Sequence, residues 1–292
     1  METNYYIGSS KYLVEILKWI TPVILFFLAY IINEAINRNK KRKELETLKS
    51  LLLTNLEQIY DQIADQITAN SNCILRLKDF AEQDLRLSRH YSNNIERIKT
   101  IPFKDIFQIL VKDPSKKNKN REYYFERYNE LYRILDYYET ILKTLIIDNE
   151  TTLKNLNNAL EIWNKSHAQT ITFKNMLLSI AKSKKLRPSD DSFIAGIVEL
   201  TYQFIEKYGK NCQNLEVGYN ELVIPLVDHS KKHSDDPRSA YLMQLLQESR
   251  YAFSETQSIR NYSRSGLEET NETLARLSPK LKAIIEEIKN KA

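Results

Sequence analysis

From Trp19 to Asn33 fifteen consecutive residues carry no charge, and Arg38, Lys40, Lys41, Arg42 and Lys43 follow close behind. An apolar helix of this kind must be covered either by protein or by lipid, which restricts the fold more than any other feature. Fifteen residues alone are short for a bilayer, which takes about 20. The stretch from Tyr12 to Ile32 has 21 residues, about 30 Å as a helix. It admits Glu15 and Lys18, both near one end, where a lysine snorkels and an acid costs less than at the bilayer centre. Ile20, Val23, Ile24, Leu25, Phe26, Phe27, Leu28, Ile31 and Ile32 together favour insertion by about 3–5 kcal/mol. That offsets partial burial of Glu15 and Lys18. Tyr12 and Trp19 on one side and Tyr30 on the other form an interfacial belt.

The basic cluster comes after the apolar run, whereas a secretory signal peptide carries its positive charge before it, and no small-residue cleavage pattern closes the run. The segment is therefore expected to be retained as an anchor in the cell (inner) membrane. Its basic side faces the cytoplasm and a short N-terminus lies outside. The expected organisation is an extracytoplasmic segment 1–11, a transmembrane anchor 12–33, a basic juxtamembrane segment 34–43 and a cytoplasmic helical domain 44–292. Each basic residue near an anionic surface adds about 1 kcal/mol of attraction, so anionic headgroups are expected partners there. Two other readings compete. One is a core or docking helix. The other puts an interfacial helix up to Ile20 and a short span after it, with Thr21 capping and Pro22 in the first turn.

Only 5 Gly and 7 Pro punctuate the 292 residues, so long helices are expected and strands are not. Leu45, Leu48, Leu52, Leu56, Ile59, Ile63 and Ile67 recur in steps of three and four, the apolar face of one helix. The face continues less cleanly through Ile74, Leu77, Phe80 and Leu87, with a bend expected at Asn70, Ser71 and Asn72. Asn55, Gln62 and Gln66 at inner positions weaken a coiled-coil reading, so packing within one bundle is preferred. Asp113–Asn120 reads as a loop. Tyr124, Tyr128, Leu131, Leu135, Tyr138, Leu142 and Leu145 then mark a second long face. After another loop at Leu186–Ser192, Ser189 or Asp190 is placed to cap a helix that ends at Gly209. A short helix leads to Pro225 and a polar loop to Pro237. Two last helical stretches are separated near Gly266 and again at Ser278–Pro279. The fold class is all-α: five to eight helices in an antiparallel bundle tethered by the first.

Signs of catalysis are sparse. Phosphate-binding loops need clustered glycines so that backbone N–H groups can approach the ligand, and no two of Gly8, Gly196, Gly209, Gly218 and Gly266 are closer than nine positions. Neither His90, His167, His229 nor His233 has a Glu three residues before it, as a di-metal carboxylate site requires. The Arg-to-His spacing of HEPN ribonucleases is not met either, since three residues separate Arg86 from His90. Cys73 and Cys212 suggest no disulfide or thiolate site. The one metal-like constellation is Asp228–Arg238. His229 and His233 stand one helical turn apart there, with Asp228, Asp235 and Asp236 as oxygen donors. Two intervening lysines oppose a cation, so a solvated loop is the preferred reading, with neither a metal nor a cofactor expected. The aromatic stretch Tyr123–Tyr138, interleaved with Arg121, Arg127 and Arg133, could stack bases, but its spacing fits a core. The net charge of +5 is concentrated at Arg38–Lys43 and gives no general nucleic-acid surface.

The expected function is binding, as a sensor, scaffold or effector with a protein or ligand partner. One alternative is a membrane-tethered nuclease or hydrolase assembled only in three dimensions. Another is a membrane-permeabilising homo-oligomer formed through the anchor. One anchor, a basic stop and a charged helical domain make a layout similar to that of membrane proteins in bacterial stress and phage-defence (antiviral) systems, and the Lys-, Asn- and Ile-rich composition fits a bacterial chain.

Overall fold

Where apolar residues recur at helical spacing, the backbone is helical. The computed structural model describes residues 5–81, 84–90, 93–111, 121–209 and 214–290, and no strand occurs among them. The helices are α1 (Tyr5–Lys78), α2 (Asn94–Lys99), α3 (Phe103–Leu110), α4 (Arg121–Ser183), α5 (Ser192–Tyr208), α6 (Leu215–Gly218), α7 (Ile224–Lys232) and α8 (Pro237–Lys289). A π-helical turn, Tyr219–Val223, joins α6 to α7. The expected loop at Asp113–Asn120 and Cys212 lie outside the described residues, as does the side chain of Tyr12.

Three helices run further than their sequences suggest. In α1 the helix passes through Asn70–Asn72 without a break. Asn70 is fully buried there, and its amide is bonded to Gln66 and Asn271, so a polar residue at an inner position costs little. The helix stops at Lys78, which leaves Phe80 and Leu87 on the irregular chain beyond it. Pro22 lies inside α1, so Thr21 does not cap a new helix. In α8 neither Gly266 nor Pro279 ends the helix. A mid-helix glycine costs about 1 kcal/mol and a proline about 3. Leu274, Leu277, Leu281, Ile284, Ile285 and Ile288 are buried around Pro279, and each contributes about 1.5–3 kcal/mol. Packing outweighs propensity. The presumed polar loop before Pro237 is mostly α7, with Pro225 in its first turn.

The start of α5 is set by Asp191 rather than by Ser189 or Asp190. Its carboxylate accepts from the N–H groups of Phe193 and Ile194, each at 3.2 Å, while Pro188–Asp190 form a 3₁₀ turn. Gly209, at φ 78°, ends α5 by donating to the Ile205 carbonyl at 2.8 Å. A side chain at that φ would be strained.

The chain divides into two compact units. The first comprises residues 1–58, 93–131 and 283–292. Its buried residues include Leu52 and Leu56 of α1, Ile98 of α2, Ile106 and Leu110 of α3, Leu131 of α4 and Ile288 of α8. Phe103 meets Tyr128 edge-on at 4.6 Å. Lys289 pairs with Glu57 at 2.9 Å, and Arg127 with Glu287 at 3.3 Å.

The second unit comprises residues 59–92 and 132–282. One apolar cluster draws on Trp163, Phe173 and Leu177 of α4, Phe193 and Ile197 of α5, Leu226 of α7, and Leu242 and Phe253 of α8. Another joins Cys73 and Leu77 of α1 to Leu85, Leu87, Leu145 and Leu267. Small residues bring helices close: the Ser166 hydroxyl of α4 lies 2.6 Å from that of Ser249 and donates to the Leu245 carbonyl of α8. In the π turn Tyr219 stacks on Phe253, with centroids 4.1 Å apart and planes 8° from parallel. A Cβ on Gly196 would lie 2.1 Å from Cε1 of His229, so only glycine admits that imidazole. Gly196→Ala should cost about 1–3 kcal/mol in urea denaturation. The double variant with His229→Ala should recover part of the loss; no recovery would disprove the steric account.

Candidate functional site

Three regions carry features beyond core packing. The first is α1 from Trp19 to Ile32, whose large apolar side chains are all exposed, Trp19 at 80% and Phe26 at 69%. Among the described residues this is the one helix long and apolar enough to cross a membrane. Of the basic residues that follow, Arg38 pairs with Glu34 at 2.9 Å and Arg42 with Glu46 at 3.2 Å. Lys40, Lys41 and Lys43 are exposed. The first fully buried side chain, Leu52, comes twenty residues after Ile32, about 30 Å along a helix.

The second region is Asp228–Arg238. His229 donates from Nε2 to the Phe193 carbonyl at 2.9 Å and stacks on the Phe193 ring at 5.6 Å. His233 meets the same ring edge-on at 5.7 Å, and the two imidazole centroids are 4.6 Å apart. The guanidinium of Arg238 lies 5.0 Å from the Phe193 centroid. It bonds Asp191 at 2.8 Å and also Asp236, and these bonds lower both carboxyls below the usual aspartate range. Asp228 faces Lys231 at 3.3 Å. Among the described residues no three His, Cys, Asp or Glu side chains converge as a metal site would need. The constellation ties the start of α5 to the α7–α8 connection.

The third region was not visible in the sequence. Asp84–His90 runs extended across the second unit with Leu85 and Leu87 buried, and side chains satisfy much of its backbone. Asn149 of α4 donates to the Leu85 carbonyl at 3.2 Å and accepts from the Leu87 N–H at 3.3 Å. Gln66 of α1 repeats the pattern on the Ser88 carbonyl at 3.2 Å and the His90 N–H at 3.0 Å. Each amide bonds residues i and i+2, as a neighbouring strand would. Arg76 donates to the Asp84 and Arg86 carbonyls at 2.8 and 2.9 Å. Tyr138 reaches the His90 carbonyl at 3.3 Å, and burial raises its phenol pKa. Cys73 lies under this strap, buried and with its thiol pKa raised by desolvation.

Beside the strap opens a cleft of about 540 Å³ between residues of α4 and α8. Leu87, Leu145 and Leu267 give it an apolar floor, and Asn149, Thr152 and Tyr262 add polar groups. Gly266, which the sequence suggested as a break, lines this cleft inside a continuous helix. That misplaced signal was the trace of the cleft in the sequence; Asn149 and Thr152 left none. The tyrosine stripe is core where it reaches Leu131, Leu135 and Tyr138, all fully buried. No family model, curated protein or solved structure matches this chain.

Arg238 is a third exposed, so solvent screening keeps its contribution near 1 kcal/mol. Because Asp191 and Asp236 are depressed, that increment is present above the ordinary aspartate pKa near 4 and disappears as pH falls through the folded values. Arg238→Met should therefore destabilise by about 1 kcal/mol at neutral pH and by progressively less as pH falls below about 4; an effect independent of pH would contradict the ion-pair account. In a Cys212→Ser background, replacing Gln66 and Asn149 with Ala should speed thiol labelling of Cys73 by about tenfold or more, since each lost buried hydrogen bond costs about 1 kcal/mol. An unchanged rate would mean the amides do not hold the strap.

Proposed function

We propose that this chain is a single-pass membrane protein whose α1 crosses the bilayer between Tyr12 and Asn33, with a helical bundle on the basic, cytoplasmic side that works by binding. The observation carrying the reading is the exposure of Trp19–Ile32 on every side. Nine large aliphatic or phenylalanine side chains there would oppose solvation by roughly 1.5–3 kcal/mol each if fully transferred. Lipid relieves that, and Pro22 is tolerated within such a span. The exposed Lys40, Lys41 and Lys43 stand where cytoplasmic headgroups would be, with anionic lipid as their partner. The role we assign is that of a sensor, scaffold or effector confined to the membrane surface.

The full chain should stay in the membrane pellet through alkaline carbonate and leave it only with detergent. Recovery in the carbonate supernatant would sink the anchor. Replacing Arg38, Lys40, Lys41, Arg42 and Lys43 with neutral residues should scramble orientation, seen as mixed protease protection of a C-terminal tag. Uniform protection in both proteins would overturn the role given to the basic cluster, and digestion of the tag in the parent would overturn the assigned topology.

A further inference from the structure

We propose that the cleft between α4 and α8 binds a polyhydroxy compound of the sugar class, uncharged or bearing an amine. This deepens the binding reading above and rests on it.

The size is right: at about 540 Å³ the cleft falls within the usual range of small-molecule sites, about 300–1,000 Å³. Its wall has a consistent chemistry. Among the described residues no lysine, arginine, histidine or cysteine lines it, although the chain has more basic than acidic residues. Asp148 and Glu269 stand exposed on its rim with no ion-pair partner among the described residues. An anion is disfavoured there, whereas hydroxyls or an ammonium group are matched. The neighbouring hollow of about 160 Å³ does hold Arg86 and Arg89. Asp84 already holds the Arg86 guanidinium through two bonds at 2.9 and 3.0 Å.

Two residues point to an occupant. Thr152 is 8% exposed, lines the cleft, and its hydroxyl makes no hydrogen bond among the described residues. Other helical threonines such as Thr140, Thr170 and Thr256 donate to the carbonyl four residues back. The Thr152 hydroxyl is therefore left open to the cleft, where a ligand hydroxyl can take the place of water. Gly266 is the second. It sits in mid-helix, where glycine is disfavoured relative to alanine, yet a Cβ there would meet nothing within 4 Å. No packing requires a glycine. What its missing side chain leaves open is the cleft itself. Tyr262, 83% exposed on the same wall, offers an aromatic face to the C–H side of a sugar ring, while Leu87, Leu145 and Leu267 receive its apolar edge.

The test uses the full chain in phosphatidylcholine nanodiscs, because maltoside detergents carry sugars of their own. The probes are glucose, galactose, mannose, ribose, maltose and glucosamine, with glucose 6-phosphate as the anionic comparison. Binding is followed by saturation-transfer NMR and by the thermal midpoint. At least one neutral or amino sugar should bind saturably and raise the midpoint, with glucose 6-phosphate weaker by about tenfold or more. Gly266→Leu should narrow the cleft and weaken binding by about tenfold or more, with an unchanged or higher midpoint. Thr152→Val, which keeps the shape and removes the hydroxyl, should weaken binding by about tenfold. The proposal fails if no sugar binds saturably, if the phosphate binds as tightly as the neutral compounds, or if both variants bind like the parent. None of these outcomes touches carbonate resistance, so the membrane reading and the cleft reading fail separately.

Discussion

Gln66 and Asn70 are both fully buried in the second unit, and a buried amide without partners costs about 1–3 kcal/mol. That penalty ties the unit together. Gln66 donates to the Asn70 side chain at 2.9 Å as well as to the strap, and Asn70 donates to Asn271 of α8 at 2.9 Å. Asn271 returns to α1 through the Ser71 hydroxyl at 3.2 Å. Sliding α1 against α8 by one turn would leave several of these groups unpaired at once. Apolar contacts between leucines and isoleucines tolerate such slips; a chain of amides does not. Asn149 does for α4 what Gln66 does for α1, so the strap reads the position of two helices together.

The helical class was legible because Gly and Pro are scarce and apolar residues recur at helical spacing. Leu52, Leu56, Ile59 and Ile63 are all buried, as that spacing implies, whereas Leu45 and Leu48 are only half-buried. Helix ends were read less well. Pro279 looked like a stop because local propensity opposes it, and burial on either side overrides that preference. The histidine pair drew attention, though a solvated loop was preferred over a metal site, because spacing along one helix is visible in a sequence. Its real partner, Phe193, is 36 positions away, and no spacing rule encodes that contact. The strap was hidden for the same reason. Its clamps come from residues 66 and 149, and an asparagine or glutamine on a helix carries no mark of what it will bond.

The cleft and the Asp228–Arg238 constellation also show how similar residue types can serve opposite ends. In the constellation Arg238, Asp191, Asp236 and Asp228 each have a counter-charge, and each imidazole has a ring to pack on, so much of its chemistry is spent on holding α5 to the α7–α8 connection. Around the cleft, by contrast, a hydroxyl and two carboxylates are left without protein partners among the described residues. Recognition depends on groups kept available in this way. Stability depends on groups that are not.

The π turn at Tyr219–Val223 bears on what lengths of chain this unit can accept. A π turn closes its hydrogen bonds one residue further along than an α-helix does, so it behaves as a single inserted residue absorbed without a break. Deleting one residue there would permit an ordinary α-helix, and by local energetics the change looks harmless. But each residue of an α-helix turns the axis by about 100°, so α7 would be rotated by that amount relative to α6. Leu226 and Val227, now buried, would swing toward solvent, and His229 would leave the notch made by Gly196. The extra residue is thus a phase adjustment. It lets the α6 side of the turn keep Tyr219 on Phe253 while the α7 side keeps His229 on Phe193.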